Sequence, residues 1–279
     1  MPTLPLGSII AFDFNSWDIR EEIALLQEVG IGRVQIYRNY VQAHDPHEIR
    51  EMLDAEGFAI DSLHGYFWHE DFQGPPCDLS AADADLRGKS LKIMRGEARF
   101  ARALGCRDII VHPAGPGKTE EDPWRSAALQ ESAAALASIA AEFDVRFLIE
   151  NMPITMFGRD AAGLRRIVDA VASPGIGLAY DSGHAMLAND PVGIIHAMGP
   201  RLWGVHINDN RGTEDDHFIP GMGAIPFEDV ARALAAVKFA GTFLIEVYRS
   251  TAEVRRDLTP ERFAHILRLR RIASGLADI

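Results

Sequence analysis

The sequence predicts a single (β/α)8 barrel. Along its 279 residues, eight short runs rich in Val, Ile, Leu and aromatic residues alternate with eight longer amphipathic helical patterns. The short runs are nearly continuous in apolar residues, which is typical of parallel strands buried on both faces. Eight β/α units in a chain of this length favour closure into a barrel. We therefore expect one domain over residues 1–279.

A doubly wound open sheet is the weaker alternative, because no Gly-rich phosphate-binding turn follows the first predicted strand. Each strand is bounded by Gly, Pro or Asp, the residues that end β-structure. The strands are predicted at 7–14, 33–38, 59–65, 108–114, 146–152, 176–182, 202–209 and 242–248.

The predicted helices carry recognisable start and stop signals. The first two end on Gly30 and Gly57, and glycine is common at helix C-termini. The last begins with Thr259 as a suitable N-cap and Pro260 at the first helical position. The helices are predicted at 20–30, 47–57, 87–105, 123–143, 160–172, 190–198, 226–237 and 259–274.

Composition narrows the class of partner. The formal net charge of -12 repels polyanions at long range, which disfavours nucleic acid and anionic membranes. Cys77 and Cys106 lack metal-ligand spacing, and so few thiols indicate a reducing compartment. There is no run of 18 apolar residues and no basic start followed by an apolar run. We expect a cytoplasmic protein with no membrane span.

Histidine or carboxylate side chains end six of the eight predicted strands, whereas the first two strands end in Phe14 and Arg38. In this barrel the C-terminal strand ends share one mouth, where catalytic residues lie. One histidine at such a place is typical of a structural residue, but the whole set is harder to explain in that way. Its members are His64, His112, Glu150, Asp181 with His184, His206 with Asp215 and His217, and Glu246.

Four of these residues indicate a divalent metal site. Glu150, Asp181, His206 and Glu246 follow four apolar strands, and buried carboxylates repel one another or take up protons unless a cation neutralises them. Their oxygen and nitrogen donors suit Mn²⁺, Co²⁺, Fe²⁺, Mg²⁺ or Zn²⁺ without selecting one. No thiolate is present among them, which disfavours a structural zinc site. We expect one to three ions.

Five ordered motifs resemble the xylose-isomerase-like TIM-barrel superfamily: IENMP, AYDSGHA, HINDN, DDHFIPGMGAIPF and FLIEV. The resemblance implies a metal site at the same four residues. It also implies that Glu150 and Glu246 lie on opposite faces of a substrate carbon, where one removes a proton and the other returns one. It further implies substrate contacts from His184 and Arg211.

The superfamily has several branches, and the motifs do not separate them. It includes sugar isomerases, ketose 3-epimerases, inosose isomerases and dehydratases, together with endonucleases that cut DNA at abasic sites using three zinc ions. The additional zinc ligands of the endonucleases match residues of this chain: His64, His112, His184, Asp215 and His217.

Two features favour the small-molecule branch. The first strand, IIAFDF, lacks the Gly-Ala-His start of the endonucleases. The loop after the third strand is rich in acid, which would repel phosphates, and its aromatic residues Tyr66, Phe67 and Trp68 either cover a sugar ring or pack the loop. The acidic residues are Glu70, Asp71, Asp78, Asp83 and Asp85.

We therefore expect a divalent-metal-dependent isomerase or epimerase of a small sugar or polyol ketone. Glu150 and Glu246 are the expected bases, and the metal would stabilise an enediolate. A zinc-dependent abasic-site DNA endonuclease and an inosose-type dehydratase are the alternatives. A metal-stabilised binding or scaffold protein would require the pocket to be closed or the carboxylates to be hydrogen-bonded to one another without metal. The sequence leaves homo-oligomerisation open.

Overall fold

The computed structural model describes residues 2–12, 18–40, 42–67, 74–115, 118 and 122–276. Within these ranges, eight parallel strands close into a barrel in chain order, which confirms the predicted fold. The strands are β1 (Leu6–Phe12), β2 (Arg33–Arg38), β3 (Ala59–His64), β4 (Asp108–Val111), β5 (Arg146–Glu150), β6 (Ile176–Asp181), β7 (Leu202–Ile207) and β8 (Phe243–Ile245).

The described residues contain ten α-helices and a short 3₁₀ turn at Gly199–Arg201. Most of them cover the outside of the barrel between consecutive strands. They are α1 (Ile19–Glu28), α2 (Pro46–Ala55), α3 (Ala84–Leu104), α4 (Arg125–Phe143), α5 (Ala161–Val171), α6 (Ser182–Leu187), α7 (Gly193–Met198), α8 (Phe227–Ala236), α9 (Thr251–Asp257) and α10 (Pro260–Ala273).

Two short helices, α6 and α9, correct the prediction of eight helices in strict alternation. Both begin at a strong N-cap just after a strand. Asp181 accepts a hydrogen bond from the backbone of His184 at 2.6 Å, and Ser250 forms a reciprocal capping box with Glu253. With six and seven residues, these two helices carry only about two turns of periodic pattern, which does not distinguish them from loops in the sequence.

The predicted helix signals agree with the observed ends. Gly30 and Gly57 follow α1 and α2 in the left-handed region, at φ 72° and 82°, where glycine carries no steric penalty. At the other end of the chain, Thr259 caps α10 and Pro260 is its first residue. These local signals predict helix boundaries because they depend on neighbours in sequence.

The first and last strands join over a short ladder. β1 pairs with β8 at Leu6, Gly7 and Ser8. Further along β1, the backbone amide of Ala11 donates instead to the Oε2 atom of Glu22 on α1, at 3.0 Å. The seam of the barrel is therefore completed by a buried carboxyl group from the outer helical layer.

Apolar residues fill both sides of the strands. The large core lies between the barrel and its helices, and two small groups fill the interior: Ile9, Ala11, Tyr37 and Leu244, and Ile110, Leu148 and Ala179. Because the interior is packed, the polar strand ends meet at the mouth rather than around a pore. None of the helices in the described ranges has the length and apolar character needed to cross a bilayer.

Candidate metal centre

Four predicted residues lie together at the C-terminal mouth. Glu150 ends β5, Asp181 ends β6, His206 lies near the end of β7, and Glu246 directly follows β8. One potential ligand atom from each lies within 4.8 Å of those of the other three, and all four side chains are buried. We call these residues the central cluster. The parallel register brings them together, since each occupies the same end of its strand.

Hydrogen bonds hold the central cluster in a compact arrangement. His206 Nδ1 lies 2.8 Å from Glu150 Oε1 and 3.1 Å from Glu246 Oε1. Asn208 donates from Nδ2 to Asp181 Oδ2 at 2.6 Å and to Glu246 Oε2 at 3.2 Å. The imidazole of His206 therefore bridges the two glutamates, and the amide of Asn208 bridges Asp181 and Glu246.

Burial and mutual repulsion make the two glutamates unequal. Burial alone would raise the pKa of Glu150, but His206 and His112 hold that pKa well below its ordinary value. Burial raises the pKa of Glu246 to about 8, and the charges of Asp181 and Glu150 add to that rise against the opposing effect of His206. One carboxyl of the cluster is thus driven towards protonation, a conflict that a divalent cation would relieve.

The residues present fit a divalent cation. His206 Nε2 is buried without a hydrogen-bond partner among the described residues, which is rare for a polar atom in a folded interior. Three carboxylates and one imidazole are also a donor set that hard and borderline divalent ions accept.

A second group shares Glu150 with the central cluster. Potential ligand atoms of His64, His112 and Glu150 lie within 4.8 Å of one another, and we call this group the imidazole cluster. Glu150 Oε2 is 3.1 Å from His112 Nε2 and 3.9 Å from His64 Nε2. The Phe67 ring lies about equally close to both imidazoles, with centroid distances of 5.1 Å to His64 and 5.0 Å to His112.

A third group lies beside the central cluster. Asp215 Oδ2 is 3.1 Å from His184 Nε2 and 3.2 Å from His217 Nε2, and we call these residues the rim cluster. His217 Nδ1 lies 3.6 Å from Glu246 Oε2, which connects the two clusters. Hydrogen bonding to Asp215 raises the pKa of His217 to about 10 despite its burial.

The loop that carries Asp215 and His217 is held by one buried carboxylate. Asp209 accepts hydrogen bonds from the backbone amides of Gly221 at 2.9 Å, Gly223 at 2.7 Å and Ile225 at 3.2 Å. Its own backbone pairs with that of Phe218, with both bonds at 2.8 Å. A Cβ at Gly223 would lie 2.2 Å from the Asn210 carbonyl oxygen, so glycine is required there.

Sequence reasoning missed three supporting residues. Asn208 lies in the HINDN motif, and Asp209 follows it, ahead of a Gly-x-Gly segment that could have indicated a stapled loop. Tyr37, near the end of β2, donates from its hydroxyl to Glu246 Oε1 at 2.5 Å. The alternation of β2 places Tyr37 inside the barrel, but its partner is 209 residues away in sequence.

Arg211 lies on the rim and outside the three clusters. Its guanidinium carbon is 4.7 Å from the centroid of the Phe218 ring, next to His217 in sequence. The side chain is exposed. Arg38 has a different role, since it forms a buried ion pair with Glu97.

The predicted acidic rim after β3 needs correction. Asp78 is buried and forms an ion pair with Arg125 at 3.2 Å, and Asp83 caps α3 by accepting from the backbone of Asp85 at 2.9 Å. Asp78 therefore serves structure and takes no part in a repulsive surface, whereas Asp83 and Asp85 are exposed at the start of α3. Glu70, Asp71, Trp68 and the first-strand residue Phe14 lie outside the described residues.

The two described aromatic residues of that loop, Tyr66 and Phe67, make different contacts. Tyr66 packs the loop: its hydroxyl donates to the carbonyl of Pro75 at 2.6 Å, and its ring stands edge-on to Tyr40 at 4.7 Å. Phe67 instead lies over the imidazole cluster.

Comparison with known proteins gives three informative likenesses. An uncharacterized protein of Methanocaldococcus jannaschii is 28% identical over 184 residues, 62% of each chain. Fructoselysine 3-epimerase of Escherichia coli O157:H7 is 22% identical over 202 residues, which cover 70% of this chain and 73% of that protein. D-allulose 3-epimerase from Methylomonas sp., solved with D-allulose, superimposes with a TM-score of 0.73 at 17% identity, covering 98% and 94% of the two chains.

The chain spans between 56% and 62% of the length of the first curated relatives it matches. The structural likeness, at its low identity, concerns the fold. The family assignment rests on a longer match, which covers residues 23–269 and includes all three clusters. The chain belongs to the xylose isomerase-like TIM barrel family.

Proposed function

We propose that this chain is a metal-dependent epimerase or isomerase of a small sugar or polyol ketone. The observation that carries the proposal is the buried convergence of Glu150, Asp181, His206 and Glu246 at the barrel mouth. The family and the 3-epimerases among the similar proteins support it.

The central cluster would hold the divalent cation. When bound, the cation would act as a Lewis acid that polarises a ketone oxygen and lowers the cost of removing a proton from the adjacent carbon. The supporting hydrogen bonds of Asn208 would keep Asp181 and Glu246 oriented, as outer-shell partners of metal ligands do.

Glu150 and Glu246 are the proposed bases. A base must come within hydrogen-bond reach of the proton that it removes. Both carboxylates lie at the barrel mouth, with Glu150 Oε1 2.8 Å and Glu246 Oε1 3.1 Å from His206 Nδ1. Two bases would permit inversion at carbon 3, and one base would give a 1,2-isomerisation. The named epimerases among the similar proteins favour inversion. His184 and Arg211 would contact substrate oxygens.

Solvent deuterium exchange tests this proposal. Protein stripped with a chelator is reloaded separately with Mn²⁺, Co²⁺, Mg²⁺ or Zn²⁺ and incubated in D₂O with ketoses, aldoses and inososes. We expect deuterium at one carbon of at least one sugar. Glu150→Gln should abolish the exchange, and Glu131→Gln, at an exposed carboxylate, should not. Absence of exchange with every sugar and metal would refute the proposal.

The imidazole cluster favours a second candidate, a zinc-dependent abasic-site DNA endonuclease. Together with the rim cluster it offers donors for more than one ion around Glu150 and Glu246. This candidate predicts three zinc ions per chain by elemental analysis and nicking of a duplex that contains an abasic site. One ion per chain, or an uncut duplex, would exclude it.

A further inference from the structure

Tyr37 is a buried polar residue of the barrel interior. It lies on β2 with its ring among Ala11 and Leu244, whereas Ile36 points into the outer core between strands and helices. The residue is 5% exposed. A hydroxyl group at such a depth needs a hydrogen-bond partner, since burying it without one is unfavourable.

The partner of that hydroxyl is a carboxylate of the central cluster. Tyr37 Oη donates to Glu246 Oε1 at 2.5 Å, and this bond spans β1, the strand that lies between β2 and β8. The ring also lies against His64, with a centroid distance of 4.3 Å and an angle of 31° between the ring planes. Phenylalanine would fill the same space and make the same ring contact, so the hydroxyl is what tyrosine adds at this position.

A nearby tyrosine shows what a purely structural hydroxyl does here. Tyr40 donates to the backbone carbonyls of His64 at 3.0 Å and Gly65 at 2.7 Å. Its bonds thus hold the end of β3 and the following loop. Tyr37 makes its bond to a side chain that we assign to chemistry.

The two oxygens of Glu246 have different restraints. Oε1 receives Tyr37 at 2.5 Å and lies 3.1 Å from His206 Nδ1. Oε2 receives Asn208 at the longer distance of 3.2 Å. Tyr37 therefore makes the shortest contact to this carboxylate and restrains its rotation most.

We propose that Tyr37 is a positioning residue, whose hydroxyl holds Oε1 of Glu246 and fixes the orientation of the carboxylate for proton transfer. The inference rests on the proposed function, in which Glu246 removes or returns the substrate proton. Hydrogen bonds to metal-ligating carboxylates from outside the ligand set are worth about 10- to 100-fold in metal affinity or activity.

The test compares Tyr37→Phe with Tyr40→Phe in the Mn²⁺-loaded protein, using the sugar that exchanges deuterium. We expect kcat to fall about 10- to 100-fold in Tyr37→Phe while KM changes less than about threefold, because the lost contact orients the base and does not bind substrate. Tyr40→Phe should keep kcat within about threefold of wild type. A structural role alone would lower the melting temperature of Tyr37→Phe and leave kcat unchanged.

A kcat for Tyr37→Phe within about threefold of wild type, alongside an inactive Glu246→Gln variant, overturns the inference. If the wild-type protein exchanges no sugar, the proposed function itself fails, and calorimetric titration with Mn²⁺ then decides the role of Tyr37. Affinity about tenfold weaker in Tyr37→Phe than in Tyr40→Phe supports positioning. Equal affinity in the two variants overturns it.

Discussion

The three hydrogen bonds that Asp209 accepts from backbone amides predict how strongly its carboxylate holds the loop of residues 209–225. Oδ2 accepts from Gly221 and Gly223, and Oδ1 accepts from Ile225. Asp209→Asn keeps the shape but removes the charge and leaves one oxygen as acceptor. Hydrogen bonds to charged groups are worth about 1.5–3 kcal/mol each, and the loop relaxes when they are weakened. We expect a net loss of about 3 kcal/mol, or about a 100-fold rise in the local opening constant.

Hydrogen–deuterium exchange of the peptide over residues 209–225 measures that opening. The matched control is Asp216→Asn in the same loop, whose carboxylate accepts one long bond of 3.4 Å from the Arg211 amide. A partly exposed change of this kind should cost less than about 0.5 kcal/mol. If Asp209→Asn exchanged no faster than Asp216→Asn, the assignment of Asp209 as the staple of the loop would be wrong.

Three further predictions follow from burial and charge. Burial raises the pKa of Glu22 from an ordinary 4.5 to about 8, so the folded protein should lose stability as the pH rises between those values. In Glu22→Gln the melting temperature should change less with pH over that range, and a pH profile like that of the wild type would contradict this. Mn²⁺ at 100 times its Kd should stabilise the wild type by about 2.7 kcal/mol in thermal scans. Asp181→Asn should lose that gain when each protein is compared with its own metal-free form, and a full gain in Asp181→Asn would contradict the assignment of Asp181 as a ligand. Arg125→Met removes the ion-pair partner of the buried Asp78 and should lower the free energy of unfolding by about 3–5 kcal/mol in chemical denaturation. Arg232→Met, at an exposed ion pair, should lower it by less than about 1 kcal/mol. Equal losses in the two variants would refute the argument.

The sequence predicts the fold and the central cluster because both follow from repetition. Parallel strands of a barrel end at one mouth, so an ionisable residue at the end of each run is brought to the same place. Glu150, Asp181, His206 and Glu246 needed only the correct strand order to meet. Their role as metal ligands and bases is a matter of chemistry and stays a proposal.

Other features depend on contacts that no local pattern carries. The bond from Tyr37 to Glu246 exists only because β1 and β8 close the barrel. The acidic sequence after β3 does not indicate that Asp78 is buried against Arg125, which comes 47 residues later. Charged residues are exposed in most cases, but a buried partner of opposite charge allows one to lie in the interior.

Glu150 belongs to both the central cluster and the imidazole cluster. A side chain held in common makes the two groups thermodynamically linked: occupancy of either one alters the affinity of the other, by the same factor in both directions. Replacing Glu150 therefore perturbs both groups at once. His112 contacts Glu150 through the Oε2 atom and belongs to the imidazole cluster alone, so replacing it changes that cluster while the four residues of the central cluster stay in place.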